Sequence, residues 1–192
     1  MSAVEYRLAN LDEARAIAEI YAPWVSETAI TFEIDPPPDA DEIASRMRRI
    51  GAIYPWLVAA SGGEIAGYAY ACENRTRAAY RWSVDAAVYL RASTHRKGIG
   101  RGLYERLFAL LRAQGFVNVF AGITLPNAPS VGLHEAFGFR LIGVHERVGW
   151  KLGAWRDVGW WQLALSSPSS EPAEPIAFPD LDRALVERAL NP

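Results

Sequence analysis

Residues 87–112 read AVYLRASTHRKGIGRGLYERLFALLR, an apolar strand, a basic glycine turn and then an amphipathic helix. Ala87 to Leu90 has the character of a buried strand end, and Leu103, Leu107, Leu110 and Leu111 recur at helical spacing. Between them, Gly98 and Gly100 stand where the helix begins. Glycine lets a backbone turn tightly and approach a ligand, and the first N–H groups of a helix have no internal partner. With the positive end of the helix dipole and Arg96 and Lys97 alongside, the turn suits a phosphate or pyrophosphate. Short Gly-x-Gly turns are common, however, and basic helix starts are mostly solvated faces. The spacing of Gly98, Gly100 and Gly102 does not fit the dinucleotide fingerprint, and no Gly-Lys-Ser/Thr ending makes it a P-loop. By itself the segment proposes an anion grip and no more.

Outward from this turn, the chain alternates elements in a mixed order. Val4 to Leu8 predicts a first strand, and Asn10 with Glu13 three residues on predicts a capped helix running to about Tyr21. Pro36-Pro37-Pro38 is a loop, after which Asp39 or Asp41 starts a second helix reaching about Ile50. Trp56–Ala60 and Glu64–Cys72 form a hairpin around Ser61-Gly62-Gly63, and Arg81 to Leu90 is a longer strand. Val117–Ile123, a short helix over Ala128–Phe137, a strand from Gly138 to about Arg147 and a last strand Val158–Leu165 follow. This order suits a mixed α/β sheet better than a doubly wound parallel one. From Ser166 to Pro179 the composition shifts to Ser, Pro, Glu and Ala, giving a domain over 1–165 and, over 166–192, a linker with a short helix from Leu181 to Leu190.

Composition narrows the function classes. A chain of 192 residues, 51% hydrophobic, is enough for one full core. A net charge of −2 gives no indication of a strongly basic nucleic-acid surface. The single cysteine, Cys72, has no internal disulfide partner, and three histidines without Cys/His ligand spacing give no reason to expect a metal. No leader-like or membrane-length apolar run is present, so a cytoplasmic protein is expected.

Three further segments carry a resemblance when combined with the glycine turn. Leu125-Pro126-Asn127, His134-Glu135-Ala136-Phe137-Gly138-Phe139 and Lys151-Leu152-Gly153-Ala154-Trp155-Arg156-Asp157-Val158-Gly159 stand in order along the chain. So do Ile30-Thr31-Phe32-Glu33, Tyr54-Pro55-Trp56, Ala66-Gly67-Tyr68 and Ala79-Tyr80-Arg81-Trp82. Together they resemble the GCN5-related N-acetyltransferases (GNAT), within them the branch that acetylates phosphinothricin, methionine sulfoximine and methionine sulfone. The resemblance implies a mixed, mostly antiparallel twisted sheet flanked by helices, acetyl-CoA as cosubstrate, and a homodimer. It assigns the pantetheine arm to Val88, Tyr89 and Leu90, and the pyrophosphate to His95, Arg96, Lys97, Gly98, Ile99, Gly100 and Arg101. Asn127 would contact the cosubstrate as well. His95 departs from the Gln or Arg usual there, a change that backbone gripping tolerates.

Acetyl transfer to an amine needs a deprotonated amine, a polarised thioester carbonyl and a proton for the departing thiolate. By resemblance, Asp85 stands where the family has a catalytic glutamate. It is one methylene shorter, a reach of about 1.5 Å by standard bond lengths, so catalysis through an ordered water is the alternative to direct action. His134 stands at the branch's histidine position and can serve as base or acid, while a structural histidine beside Leu133 and Phe137 is the bland alternative. Phe32, Arg75, Arg77, Tyr80, Val84 and Tyr104 match acceptor-pocket positions, and the two arginines suit carboxylate, phosphinate or sulfone oxygens. The reading is an N-acetyltransferase acting by direct attack in a ternary complex on the α-amino group of a small amino acid. The rivals are an acetyltransferase for a polyamine or protein N-terminus, and a non-catalytic acetyl-CoA-binding module.

Overall fold

A computed structural model describes residues 3–191. One seven-stranded sheet runs through it, with strand order β1-β2-β3-β4-β5-β7-β6. The strands are β1 (Glu5–Leu8), β2 (Trp56–Ser61), β3 (Glu64–Glu73), β4 (Ser83–Leu90), β5 (Asn118–Leu125), β6 (Arg140–Lys151) and β7 (Ala154–Ala164). All neighbours are antiparallel except β4 and β5. The helices are α1 (Ala14–Ser26), α2 (Ala40–Gly51), α3 (Ile99–Gln114), α4 (Ala128–Ala136) and α5 (Arg183–Leu190).

The sheet separates two cores. On one face α1 and α2 bury Ile17, Ile20, Val25, Ile43 and Met47 against Trp56, Val58 and Tyr68. On the other, Leu103, Leu107 and Leu111 of α3 pack on Leu57, Ala69, Val119 and Phe139. The strand period of two divides β4 between them: Val84, Ala86, Val88 and Leu90 pack toward α3, and Tyr89 toward α1.

Several local expectations hold and others are corrected. The Asn10 N–H donates to the Glu13 carboxylate at 2.8 Å, and Asp39 accepts the Glu42 N–H at 2.9 Å to start α2. The first helix does not stop at Tyr21. It carries Pro23 inside it, because the extra turn buries Val25 to 1% exposure and the Glu27 N–H closes on the Pro23 carbonyl. The last two strands are longer than the alternation allowed. A bulge between His145 and Gly149 resets the register, Arg147 adopts φ +49°, and its N–H donates to Asp157 at 2.7 Å. The strand then resumes to Lys151 and turns on Leu152 and Gly153, both at positive φ, the geometry that suits a two-residue hairpin.

Residues beyond 165 fold back onto the sheet's helical layer. Leu181 and Ala189 belong to the α3-side core, Arg106 Nε donates to the Leu190 carbonyl at 2.8 Å, and Gln114 Nε2 to the Ile176 carbonyl at 2.8 Å. Leu185, Val186 and Leu190 of α5 pack, partly buried, against the same core.

Candidate active site

The parallel pair β4–β5 is in register only from Ser83↔Asn118 to Asp85↔Phe120, although the strands continue to Leu90 and Leu125. Beyond Asp85 they splay, and a cleft opens between them. Its walls are Ala86–Tyr89 of β4, Ala121–Thr124 of β5, Tyr104, Asn127, Ser130 and His134, with Ile30 from the α1–α2 connector. A roomier apolar hollow of about 400 Å³ lies between Leu8, Met47, Tyr54 and Phe178. Arg48 is its one charged residue, so it offers no acid–base pair, and the cleft is the candidate site.

At the α3 end, Gly98 caps the helix with φ +78°, and a Cβ added there would meet nothing within 4 Å. Space is thus open beside Gly98 at the start of a helix whose first N–H groups lack internal partners, a position that favours an anion. Of the residues assigned to this turn, Ile99 has its side chain in the core at 2% exposure and can offer only its backbone. Arg101 Nε donates to Glu105 at 2.9 Å, and the His95 ring stacks on Trp24 of α1 at 5.7 Å between centroids. Val88, Tyr89 and Asn127 line the cleft, whereas Leu90 packs among the α3-side apolar residues. The Asn127 side chain caps α4, accepting the Ser130 N–H at 3.3 Å.

His134 is 3% exposed. Its Nδ1 lies 2.7 Å from the Ser130 carbonyl, an acceptor only, so Nδ1 carries the proton. Burial pulls its pKa below the ordinary value, with the Ser130 hydrogen bond opposing. In this neutral tautomer Nε2 is an acceptor, and the Tyr104 hydroxyl 3.1 Å away is its donor. Tyr104, itself 1% exposed, is therefore the partner of His134 at the cleft wall rather than an isolated acceptor contact. Burial holds its hydroxyl well above the ordinary phenol range.

Asp85 lies on the face of β4 that Tyr89 shares, opposite to the face where His134 packs against Tyr104 and Phe139. Asn74 Nδ2 donates to Asp85 Oδ1 at 2.6 Å. Burial raises the Asp85 pKa, and the Asn74 hydrogen bond and the Arg75 charge oppose it. Asp85 is set at the root of the splay, one step before the cleft-lining residues.

The assigned acceptor residues are not all together. Val84 is fully buried on the α3 face and cannot meet a substrate, because strand alternation turns it into the core. Tyr80 and Arg77 are exposed on the short turn before β4, outside the cleft walls. Arg75 lies over the Trp160 ring at 5.8 Å. Phe32 packs so closely on Gly149 that a Cβ there would run into its ring. Asn74 and Ser130, the hydrogen-bond partners of Asp85 and His134, are not among the residues the sequence singles out for a site. Only Ser130, four residues before His134 on one helix, had a readable signal.

Residues 7–160 match the Acetyltransferase (GNAT) domain family. The phosphinothricin N-acetyltransferase of Streptomyces viridochromogenes is 38% identical over 90% of this chain and 94% of its own. The L-methionine sulfoximine/L-methionine sulfone acetyltransferase of Pseudomonas paraeruginosa is 35% identical over 86% of this chain and 97% of its own. A GNAT superfamily phosphinothricin acetyltransferase from Sinorhizobium meliloti, solved in complex with acetyl-CoA, superposes with a TM-score of 0.84 at 34% identity. That match covers 93% of this chain and 99% of the other. With the splayed parallel pair, the glycine-capped helix and these relatives in agreement, the chain belongs to the GNAT N-acetyltransferases, in the group of the phosphinothricin and methionine sulfoximine/sulfone acetyltransferases.

Proposed function

We propose that this enzyme transfers acetyl from acetyl-CoA to the α-amino group of a small amino acid, with phosphinothricin, methionine sulfoximine and methionine sulfone as leading acceptors. The observation that carries the reading is the cleft itself. It opens between β4 and β5, with His134 and the glycine turn on its α3 side and Asp85 at its root on the other. When bound, acetyl-CoA supplies a thioester whose carbonyl carbon an amine can attack.

The turn Arg96–Gly100 holds the diphosphate through backbone N–H groups, and the free edge of β4 over Val88–Leu90 takes the pantetheine arm. A main-chain N–H near Tyr89 polarises the carbonyl. Asp85 removes the ammonium proton, directly or through one water, with Oδ1 tied to Asn74 and Oδ2 left for the proton. The Tyr104–His134 pair stores and returns a proton on the opposite side. The ring keeps its proton on Nδ1 and Nε2 accepts the Tyr104 hydroxyl hydrogen bond; as the C–S bond breaks, Tyr104 gives its hydroxyl proton to the thiolate and regains one from the nitrogen of the tetrahedral adduct, while Asp85 releases the first amine proton to solvent. Arg75 is the nearer of the two arginines to this region and suits the acceptor's oxyanion.

A second copy of the chain is the expected partner. The edge strand β6 exposes Val144, Val148 and Trp150, and the neighbouring Trp155 is exposed too. Solution mass by light scattering tests this. Among the described residues no helix is long and apolar enough to cross a membrane, and a cytoplasmic setting is proposed.

Thiol release from acetyl-CoA, followed over phosphinothricin, methionine sulfoximine, methionine sulfone, ordinary amino acids, spermidine and a short peptide, tests the activity. Turnover restricted to the phosphinate and sulfone-type acids, and lost in Asp85→Ala and His134→Ala, is expected. Turnover on spermidine or peptide alone moves the acceptor class. Acetyl-CoA binding without turnover on any amine points to a binding module.

A further inference from the structure

We propose that Lys151 is a positioning residue for the acceptor, pinning the α1–α2 connector at Thr31 so that Ile30 and Phe32 form a fixed wall beside the cleft. The proposal rests on the acetyl-transfer reading of that cleft. Lys151, the last residue of β6, is only 5% exposed. Burying an ammonium is costly unless its donors are used and opposite charge is near. Its Nζ donates to the Thr31 carbonyl at 2.8 Å; burial lowers its pKa, and the charges of Asp35 and Glu33 oppose that shift. A surface lysine would serve a hairpin end equally well. The buried placement has a consequence only at the segment it grips.

That segment, residues 30–33, has no regular secondary structure, yet four elements hold it. The Thr124 hydroxyl of β5 donates to the Ile30 carbonyl at 3.2 Å. Tyr21 Oη of α1 is 2.7 Å from Thr31 Oγ1 and donates to Glu33 at 3.0 Å. Arg46 of α2 donates to both Glu33 carboxylate oxygens, at 2.6 and 3.1 Å. Lys151 supplies the contact from β6, whose Gly149 makes room for the Phe32 ring. Ile30 lines the cleft, so the pins fix a wall of the site rather than a distant loop. Lys151 touches neither the cleft nor the glycine turn, so its effect falls on the acceptor and not on acetyl-CoA.

Lys151→Met keeps the apolar stem and removes the donors. Amide hydrogen exchange at residues 30–33 should accelerate about tenfold with the rest of the sheet unchanged. Acceptor KM should rise about tenfold with kcat within about threefold, and calorimetric acetyl-CoA affinity within about twofold. Lys151→Arg, which keeps a donor, should recover most of the KM. Unchanged exchange at residues 30–33, an unchanged acceptor KM, or acetyl-CoA affinity falling in parallel each overturns the proposal. Should Lys151→Met not fold, Lys151→Gln decides by the same readouts, since it keeps a polar tip but is too short to reach the Thr31 carbonyl as Nζ does. If the wild-type enzyme acetylates no amine, the acetyl-transfer reading fails, while the exchange measurement still judges the pin.

Discussion

The Tyr104 hydroxyl and Nε2 of His134 lie 3.1 Å apart, inside a wall where both side chains are almost fully buried. Because the Ser130 carbonyl takes the Nδ1 proton, the hydroxyl has one role open to it, that of donor. Tyr104→Phe leaves Nε2 unpartnered at little change in volume. A loss of about 1–3 kcal/mol in stability is expected from a buried acceptor left unsatisfied. A fall in kcat of roughly ten- to a hundredfold should accompany it, with acetyl-CoA affinity kept. Denaturant titration and saturating kinetics on the one variant check both; an unchanged kcat removes Tyr104 from the proton route.

His134 also makes stability depend on pH. Its folded pKa is depressed by burial below the ordinary 6.5, so on acidification the unfolded chain binds the proton first. The sign is therefore a loss of stability as pH falls from about 6.5 toward the folded value, and no further loss from this group below it. His134→Gln should flatten that part of the profile. Chemical denaturation midpoints at about pH 7.5 and about pH 5.5 measure it; equal slopes in both proteins would rule the histidine out as the source.

Asp85 works in the opposite sense. Burial raises its pKa above the ordinary 3.8, so the folded protein holds the proton longer than the unfolded chain, and this group's contribution to stability declines as pH rises through that interval. As a base it must be ionised, so the acid limb of kcat/KM should lie higher than for an ordinary aspartate. Asp85→Asn should lower kcat by about 10²–10⁴-fold and remove that limb. Asn74→Ala, which removes the opposing hydrogen bond, should move the limb to higher pH. A limb that stays in place in Asn74→Ala would show that Asp85 does not control it.

What could be read in advance divides by the range of the interactions. Local chemistry was legible: the Asn10–Glu13 cap, the Asp39 cap and the glycine start of α3 all depend on neighbours within a few residues. The first helix runs past the expected end at about Tyr21 to Ser26, through Pro23, because tertiary burial of Val25 outweighs the lost hydrogen bond. The Arg147 bulge hid the length of β6 because a register shift breaks period-two alternation. In the site, Val88, Tyr89, Tyr104, Asn127 and His134 line one cleft with Asp85 at its root, whereas parity along β4 turns Val84 and Leu90 into the core and Arg77 and Tyr80 stay on the turn before it, outside the cleft walls. The pairings that give those residues their chemistry, Asn74 with Asp85 and Tyr104 with His134, cross 11 and 30 residues of chain. No local pattern encodes such contacts; they exist only once sheet register and helix packing are set.

The tail makes the last prediction. Ser, Pro and Glu over 166–179 have the composition of a free linker, yet Trp82 Nε1 donates to the Ala173 carbonyl at 2.7 Å, and the Ile176 N–H donates to the Gln114 carbonyl at 2.8 Å. Leu181 and Ala189, each 7% exposed, then close the α3 side of the core. Deleting residues 166–192 strips these partners and uncovers apolar surface along α3, a change of several kcal/mol by the usual cost of losing buried apolar groups. For a chain of this size that lowers the thermal midpoint by about 10 °C. The midpoint of the truncated protein should therefore fall well below that of the full chain, in the same buffer and at the same concentration. Because Leu185, Val186 and Leu190 of α5 pack against the core of their own chain, the mass of the folded fraction by light scattering should keep the same number of subunits. A truncated protein with an unaltered midpoint would return the tail to a linker, and a changed subunit number would place α5 at an interface after all.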